Sequence, residues 1–544
     1  MNNKYIRGNN YFNYILVAII TLYPAFLSVY MYGVDGVISF FEADTFYYLN
    51  VLKRSISLDY YTYDGIYPTN GFHPLWQYLI TGISKFFNIN TLDGLIYTVF
   101  IISNIFVAIG SILIFSVIKN ITSSAILAFL GTVPGFYYLL FGYIHSSYNS
   151  TWSYINGMES PISFLFLSII LYLLFNKKYL ENTKASQYVI LGILLSFLIL
   201  SRLDDIFIML SFTVYLLFSL RKSHYIKASL VGFIPLIAII CYMYFSYSYS
   251  GLLIPISGTE KFGLSLSNII KLIDLIYPHF MMVSSSVDYS VWAELSQRQM
   301  QMIVPLMLAI ILYIYVYKKK VRTNIDKVLL LLASYVVIKA IYNLFFVSMW
   351  HQGHWYYTNS IVISSIIIAY FISEFISLKK NTITVSIVIT LYIIIMANSF
   401  VSNKTEIRHN NVYKVFYDQK DEIQSILNEN NVTGIVELDD GIVGYSLENP
   451  TINAFGFSLD KDAMKNKKEG KLFDVAINRN YNGFASLTYM SGFTNDMIND
   501  NVKLNKYIKS LPWMKEQNLS KYNFRFIYKD EKSGATFIKF EKFE

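Results

Sequence analysis

Charge is what this chain has least of. Only 15% of its 544 residues are Asp, Glu, Lys or Arg and 54% are hydrophobic, whereas soluble globular domains carry about 25% charged residues. That balance excludes an ordinary soluble protein. Cysteine is nearly missing as well: Cys241 is the single one and lies inside an apolar run, so disulfides carry no part of the fold. The sequence lacks an internal repeat of fixed period and any low-complexity segment beyond its apolar runs. Its first apolar run is too long for a signal-peptide core and lacks a small-residue cleavage pattern, which makes it an uncleaved first span.

What the chain has instead is long apolar runs. Segments such as "YFNYILVAIITLYPAFLSVYMY" and "TITVSIVITLYIIIMANSF" come near the roughly 20 residues needed to cross a hydrocarbon core. Spans are predicted at 12–32, 94–118, 121–141, 159–176, 186–201, 203–220, 225–247, 300–317, 327–349, 357–377 and 382–400. That gives an α-helical polytopic membrane protein of about eleven spans, within a range of about nine to thirteen. The break between the fifth and sixth, at "SRLDDIF", is set by charge. With a cytoplasmic N-terminus, Lys4, Arg7, Lys119, Lys177, Lys178, Lys184, Arg221, Lys222, Lys227, Lys318, Lys319, Lys320, Arg322, Lys327, Lys379 and Lys380 fall inside. The longer outer segments before residue 401 hold only Lys53, Arg54, Lys85, Arg202, Lys261, Lys271 and Arg298, the asymmetry that the positive-inside rule expects. The net charge of +8 is therefore a topology signal and not a nucleic-acid footprint.

This topology divides the chain into a transmembrane domain over 1–400, with a long first outer loop at 33–93, and an outer-face soluble domain over 401–544. The tail is rich in Lys, Asp, Asn and Glu. "VYKVFYDQKDEIQSILNENN" is predicted helical, "GIVEL" and "TINAF" read as short strands, and "FRFIYKDEKSGATFIKFEKF" reads as two strands around a Ser-Gly turn. An α/β extramembrane domain at the cell envelope's outer side is expected.

Polar stretches gather on that same side. The first is "FEADTFYYL", which sets Glu42 and Asp44 one residue apart directly after span one. Carboxylates there are either solvated loop residues, or a general base or metal pair, because an ionised carboxylate accepts a proton from an attacking hydroxyl or ligates a hard cation. Spacing alone leaves both accounts open.

The residues that follow are more specific. "FEADTFYYLNVLKRS" and "YDGIYPTNGFHPLWQYLI" resemble the first outer loop of the bacterial and archaeal branch of the GT-C glycosyltransferases, which commonly reads "DDaFYYlnvArni" and then "fDGinPTNGfHPLW". Asp64, Gly65, Pro68, Thr69, Asn70, Gly71, His73, Pro74, Leu75 and Trp76 carry the match. "NGMESPISFLFL", "SRLDD", "GLLIPISGTEK", "HWYYTNS" and "DGIVGYSLENPTINAFGF" are similar to further blocks of that family, so the resemblance extends from about residue 41 to 460. It implies a GT-C membrane fold and transfer of a sugar from a polyprenyl-phosphate-linked donor to a glycan, lipid or protein acceptor on the outer face, with inversion. Membrane lipids are the surroundings, and nucleic acid is no partner.

The resemblance makes Asp44 the catalytic base. The chain departs from the family's adjacent carboxylates, since Ala43 precedes Asp44 and Glu42 stands one position further back; Glu42 takes the second role. It further implies substrate contacts at Asp64, Asn70, His73, Glu159, Arg202, Lys261, His354 and Tyr356. No cofactor is required, while a divalent cation, Mg²⁺ or Mn²⁺, is compatible with Glu42 and Asp44.

Each residue also has a plainer account. Arg202 precedes Asp204 and Asp205 and is equally placed for a structural ion pair, Lys261 stands beside Glu260, His73 sits between Phe72 and Pro74 in a packed loop, and Glu159 complements a helix dipole. His351 and His354 have helix-face or metal spacing but no third ligand. Lys339, in mid-span, either snorkels or meets a lipid phosphate. The rival functions are a flippase for a lipid-linked glycan, which calls for polar residues at the bilayer midplane, a non-catalytic assembly protein, and an oligosaccharide transferase of the same fold. The N-oligosaccharyltransferase branch is disfavoured because the chain has no WWD-type tail block.

Overall fold

A computed structural model describes residues 2–132, 154–180, 184–219, 225–261, 263, 289–347, 353–375, 412–438, 441–488, 490, 492–511 and 514–543. By the density of its internal contacts the chain divides into two compact units. One comprises residues 1–31, 100–240 and 261–407, the other residues 32–99, 241–260 and 408–544.

The first unit is helical. Among the described residues, five helices of the chain are long and apolar enough to cross a membrane: Tyr11–Ile38, Leu92–Thr122, Ser229–Ser250, Asn324–Phe346 and Trp355–Phe375; shorter apolar helices run over Ser160–Phe175, Ala185–Ser201 and Met302–Lys318. Besides a buried apolar face, these helices carry exposed apolar residues. On Leu92–Thr122, Ile101, Ile105 and Ile109 recur every fourth position and are exposed, while Ser103, Asn104 and Ser111 are buried. An apolar stripe of that kind is stable against hydrocarbon and a liability in water.

Small residues bring these helices together, as expected where packing replaces the hydrophobic effect. A Cβ on Gly110 would lie 2.5 Å from the Phe164 ring, and one on Gly192 would lie 2.9 Å from the Leu230 carbonyl. The predicted break at "SRLDDIF" is present: the helix Ala185–Ser201 ends, a 3₁₀ turn covers Leu203–Asp205, and a new helix starts at Ile206. Of the predicted spans, 382–400 lies outside the described residues, as do residues 133–141 of the predicted span 121–141.

The second unit is built on a five-stranded sheet of order β2-β1-β3-β5-β4. The strands are β1 Ile435–Glu437, β2 Thr451–Asn453, β3 Gly483–Ser486, β4 Tyr522–Lys529 and β5 Thr536–Lys542. β1 pairs in parallel with β2 and β3, while β5 pairs antiparallel with β3 and β4. Val436, Ile452, Phe473, Phe484, Phe524, Ile538 and Phe540 form its buried core, to which Ile256 also belongs. The hairpin, the two short strands and the tail helices Val412–Asp418 and Lys420–Glu429 stand where the alternation and helical spacing of the sequence put them. The long first outer loop is not irregular throughout, for it holds the helices Thr45–Ser55 and Pro74–Phe86.

Candidate functional site

In the second unit, Glu42 and Asp44 stand between the end of one helix at Ile38 and the start of the next at Thr45. Both are half-exposed. Asp44 occupies the cap position of the helix Thr45–Ser55 with helical backbone angles and no side-chain cap bond. A carboxylate there is favoured by the helix dipole.

That helix is anchored over most of its length. Thr45 to Leu52 are buried, and a Cβ on Gly441, which has φ of +82°, would lie 2.8 Å from the Phe46 backbone carbon. Gly444 approaches as closely, since its Cβ would meet Asn50 Nδ2 at 2.6 Å. Both glycines of the "GIVGY" block are thus required by contact with the helix. At the far end, Lys53 Nζ donates to the carbonyls of Tyr445 at 2.7 Å and Leu447 at 2.6 Å, and Arg54 Nη2 donates to that of Asn449 at 2.6 Å. Burial, then the neighbouring Arg54, pull the Lys53 pKa down to about 7. Lys53, against the Tyr445 carbonyl, also complements the C-terminal end of the short helix Ile442–Ser446, while Arg54 holds the segment that follows it.

The "DGIYPTNGFHPLW" block folds on itself. Asp64 Oδ1 accepts from the backbone of Ile66 and Tyr67, each at 2.8 Å, and from Thr62 Oγ1 at 3.0 Å, while Oδ2 faces Arg479 at 3.5 Å. Burial raises the Asp64 pKa against these stabilising bonds. Asn70 joins two blocks: its Nδ2 donates to Ser246 Oγ at 2.9 Å and the Ile254 carbonyl at 3.0 Å, and its Oδ1 accepts from Ile256 N at 3.2 Å. It thereby shapes the "GLLIPISG" turn. Gly71 is forced by the chain's approach, since a Cβ would stand 2.2 Å from the Phe457 carbonyl. His73, half-exposed, caps the helix Pro74–Phe86 without a side-chain bond to it. Glu437, at the end of β1, is fully buried and accepts from the Gly444 amide at 3.0 Å and from the Tyr63 hydroxyl; no sequence signal singled it out.

A second cluster lies in the first unit, where "NGMES", "SRLDD" and "HWYYTNS" meet. Arg202 is buried, and its guanidinium donates to Glu159 at 3.0 Å, to Asp204 through both Nε at 3.0 Å and Nη2 at 3.2 Å, and to the Trp355 carbonyl at 2.7 Å. The Tyr356 ring lies 5.0 Å from its Cζ. These contacts occupy the guanidinium and support the ion-pair account of Arg202, with Glu159 as a further partner beside Asp204. Asp205 is the centre of the cluster: Oδ1 accepts from Tyr335 at 2.6 Å and Lys339 at 2.8 Å, Oδ2 from Ser163 at 2.8 Å and Asn359 at 2.7 Å. Lys339 also reaches Asp204 at 3.1 Å. It neither snorkels nor faces a lipid phosphate, because it is buried between two carboxylates.

The structure thus brings Glu159, Arg202 and Tyr356 together in one unit. Glu42, Asp44, Asp64, Asn70 and His73 belong to the other. Lys261 ends the helix Ile256–Lys261 and His354 opens the 3₁₀ turn His354–Tyr357; their side chains, and His351 entirely, lie outside the described residues. Among the described residues no group of three or more His, Cys, Asp or Glu side chains is placed to hold a metal ion.

The chain is therefore an α-helical membrane protein carrying an α/β unit. No model of a known protein family matches it, and no curated protein matches it. Among solved structures it is similar to the oligosaccharyltransferase of Archaeoglobus fulgidus. With the apo form the TM-score is 0.47 at 12% identity, over 95% of this chain and 73% of that one. With the form tethered to an acceptor peptide containing the NVT sequon it is 0.46 at 11% identity, over 98% and 74%. With the complex holding an inhibitory peptide and a dolichol-phosphate it is 0.44 at 10% identity, over 98% and 74%. The chemistry rests on this chain's own residues.

Proposed function

We propose that the protein is a GT-C-type membrane glycosyltransferase that transfers a sugar from a polyprenyl-phosphate-linked donor to an envelope glycan, lipid or protein on the outer face. The observation that supports this most is the mounting of Asp44. It is half-exposed at the start of a helix whose body and far end are fixed by Gly441, Gly444, Lys53 and Arg54 contacts. A general base needs such fixed placement.

In this reading the acceptor hydroxyl attacks the anomeric carbon from the face opposite the lipid phosphate. Asp44 takes the hydroxyl proton, the bond to the phosphate oxygen breaks, and the configuration inverts. Glu42 supports the same step, and with Asp44 it offers oxygen ligands suited to Mg²⁺ or Mn²⁺. Lys261 and His354 are assigned to the departing phosphate, where placed positive charge is often the largest catalytic contribution. Arg202 is assigned a positioning role, since its donors are held by Glu159, Asp204 and Trp355. Asp64 and Asn70 hold the loop around the site.

Mass spectrometry of envelope glycans from cells with and without the gene tests the proposal. One sugar residue should be absent without it and return on complementation. Unchanged glycans, lipids and glycoproteins would contradict the assignment.

A further inference from the structure

The helix Tyr225–Ser250 keeps an apolar face exposed almost to its end. Ile237, Ile240, Tyr244 and Tyr247 recur at three- and four-residue spacing and are between 44% and 75% exposed, a stripe suited to hydrocarbon and a liability in water. Tyrosines that close such a stripe sit at headgroup level, where an amphipathic ring meets both phases.

The chain beyond Ser250 turns back along this helix. Gly251, at φ of +71°, reverses it, and Ser246, one turn before the helix end, donates from Oγ to the Leu252 carbonyl at 2.8 Å. Asn70 ties both arms of the reversal: Nδ2 donates to Ser246 Oγ at 2.9 Å and to the Ile254 carbonyl at 3.0 Å, and Oδ1 accepts from Ile256 N at 3.2 Å. Residues 252–254 are thereby drawn back one helical turn, roughly 6 Å, to the level of the two tyrosines. Pro255 is buried, and Ile256 is fully buried in the core of the sheet unit, so the turn is fixed at its far end. Between these anchors Leu253 and Ile254 stand 50% and 52% exposed. The sequence has no Asp, Glu, Lys, Arg or His between Lys227 and Glu260, so the turn shares the chargeless composition of the helix before it.

Two adjacent branched side chains left exposed on a fixed turn, continuous with a lipid-suited stripe, form a surface for an apolar phase. We propose that the turn 251–255 contacts the bilayer, with Leu253 and Ile254 entering the upper acyl region beside Tyr244 and Tyr247. Through Asn70 this contact holds the "PTNG" segment at headgroup level. The surface does not depend on the assignment of glycosyl transfer.

The test is spin labelling of single cysteines in a Cys241→Ser background, with the full chain reconstituted in phosphatidylcholine vesicles. Power saturation then reads collisions with oxygen, which partitions into lipid, and with a water-soluble nickel chelate. Labels at Leu253→Cys and Ile254→Cys should show an oxygen-to-nickel collision ratio several-fold above that at Lys506→Cys, exposed in the tail, and close to that at Ile240→Cys on the stripe. Circular dichroism checks that each labelled variant keeps its helices, and the two turn positions are read independently, so one that misfolds leaves the other to decide. A ratio at Leu253→Cys and Ile254→Cys equal to that at Lys506→Cys would place the turn in water and overturn the proposal. Rare collision with both reagents would overturn it as well, because another segment of the chain would then cover the turn.

Discussion

Lys339 sits in the helix Asn324–Phe346 with its ammonium between Asp204 and Asp205. Removing one partner of a buried ion pair typically costs about 3–5 kcal/mol. Lys339→Met should therefore lower the thermal unfolding midpoint of the solubilised protein markedly, while Lys320→Met leaves it nearly unchanged. An unaltered midpoint for Lys339→Met would mean the lysine is not holding the cluster. Part of this cluster was legible in the sequence, because Arg202 and Asp204 are two positions apart and any turn brings them together. The remainder was not: Lys339 stands 134 positions from Asp205 and Asn359 stands 154 from it. Such partners are supplied by helix packing, which no local pattern encodes. Asp64 shows the same limit, since its two-residue and three-residue turn bonds are local but Arg479 is 415 positions away.

Among the elements, the helix Thr45–Ser55 shows how the family-like blocks work. Asn50 reaches Thr451 across 401 positions, and Lys53 reaches Leu447 across 394. "GIVGY" therefore supplies backbone room for this helix. Gly441→Ala places a methyl group against the Phe46 backbone at a positive φ, a change that overpacking and backbone strain make worth about 1–3 kcal/mol. Hydrogen exchange should accelerate at residues 45–55 in that variant and stay unchanged in the strands. Protection equal to wild type would contradict the packing account. The sequence announced strands and hairpin through alternation and turn residues, which are local signals. It read 33–93 as a polar outer loop because the partners that bury this helix lie in the tail.

At the scale of the whole molecule, the apolar runs were enough to read a polytopic helical protein, since composition and length are carried by the sequence itself. The sidedness rests on lysine and arginine bias. In a Cys241→Ser background, a cysteine at Lys506, exposed in the tail, should label in intact cells with an impermeant thiol reagent, and one at Lys320 should label only after lysis. Labelling of Lys320→Cys in intact cells would reverse the orientation. The proposed chemistry is tested most directly by Asp44→Asn, assayed with Asp64→Asn in cells lacking the natural gene. Asp44→Asn keeps the shape of the side chain and removes its proton affinity, so sugar transfer should fall by at least about 10²-fold at unchanged membrane level. Asp64→Asn should lose protein level or protease resistance before it loses turnover per molecule. Full transfer by Asp44→Asn at wild-type abundance would contradict the assignment of Asp44 as the base.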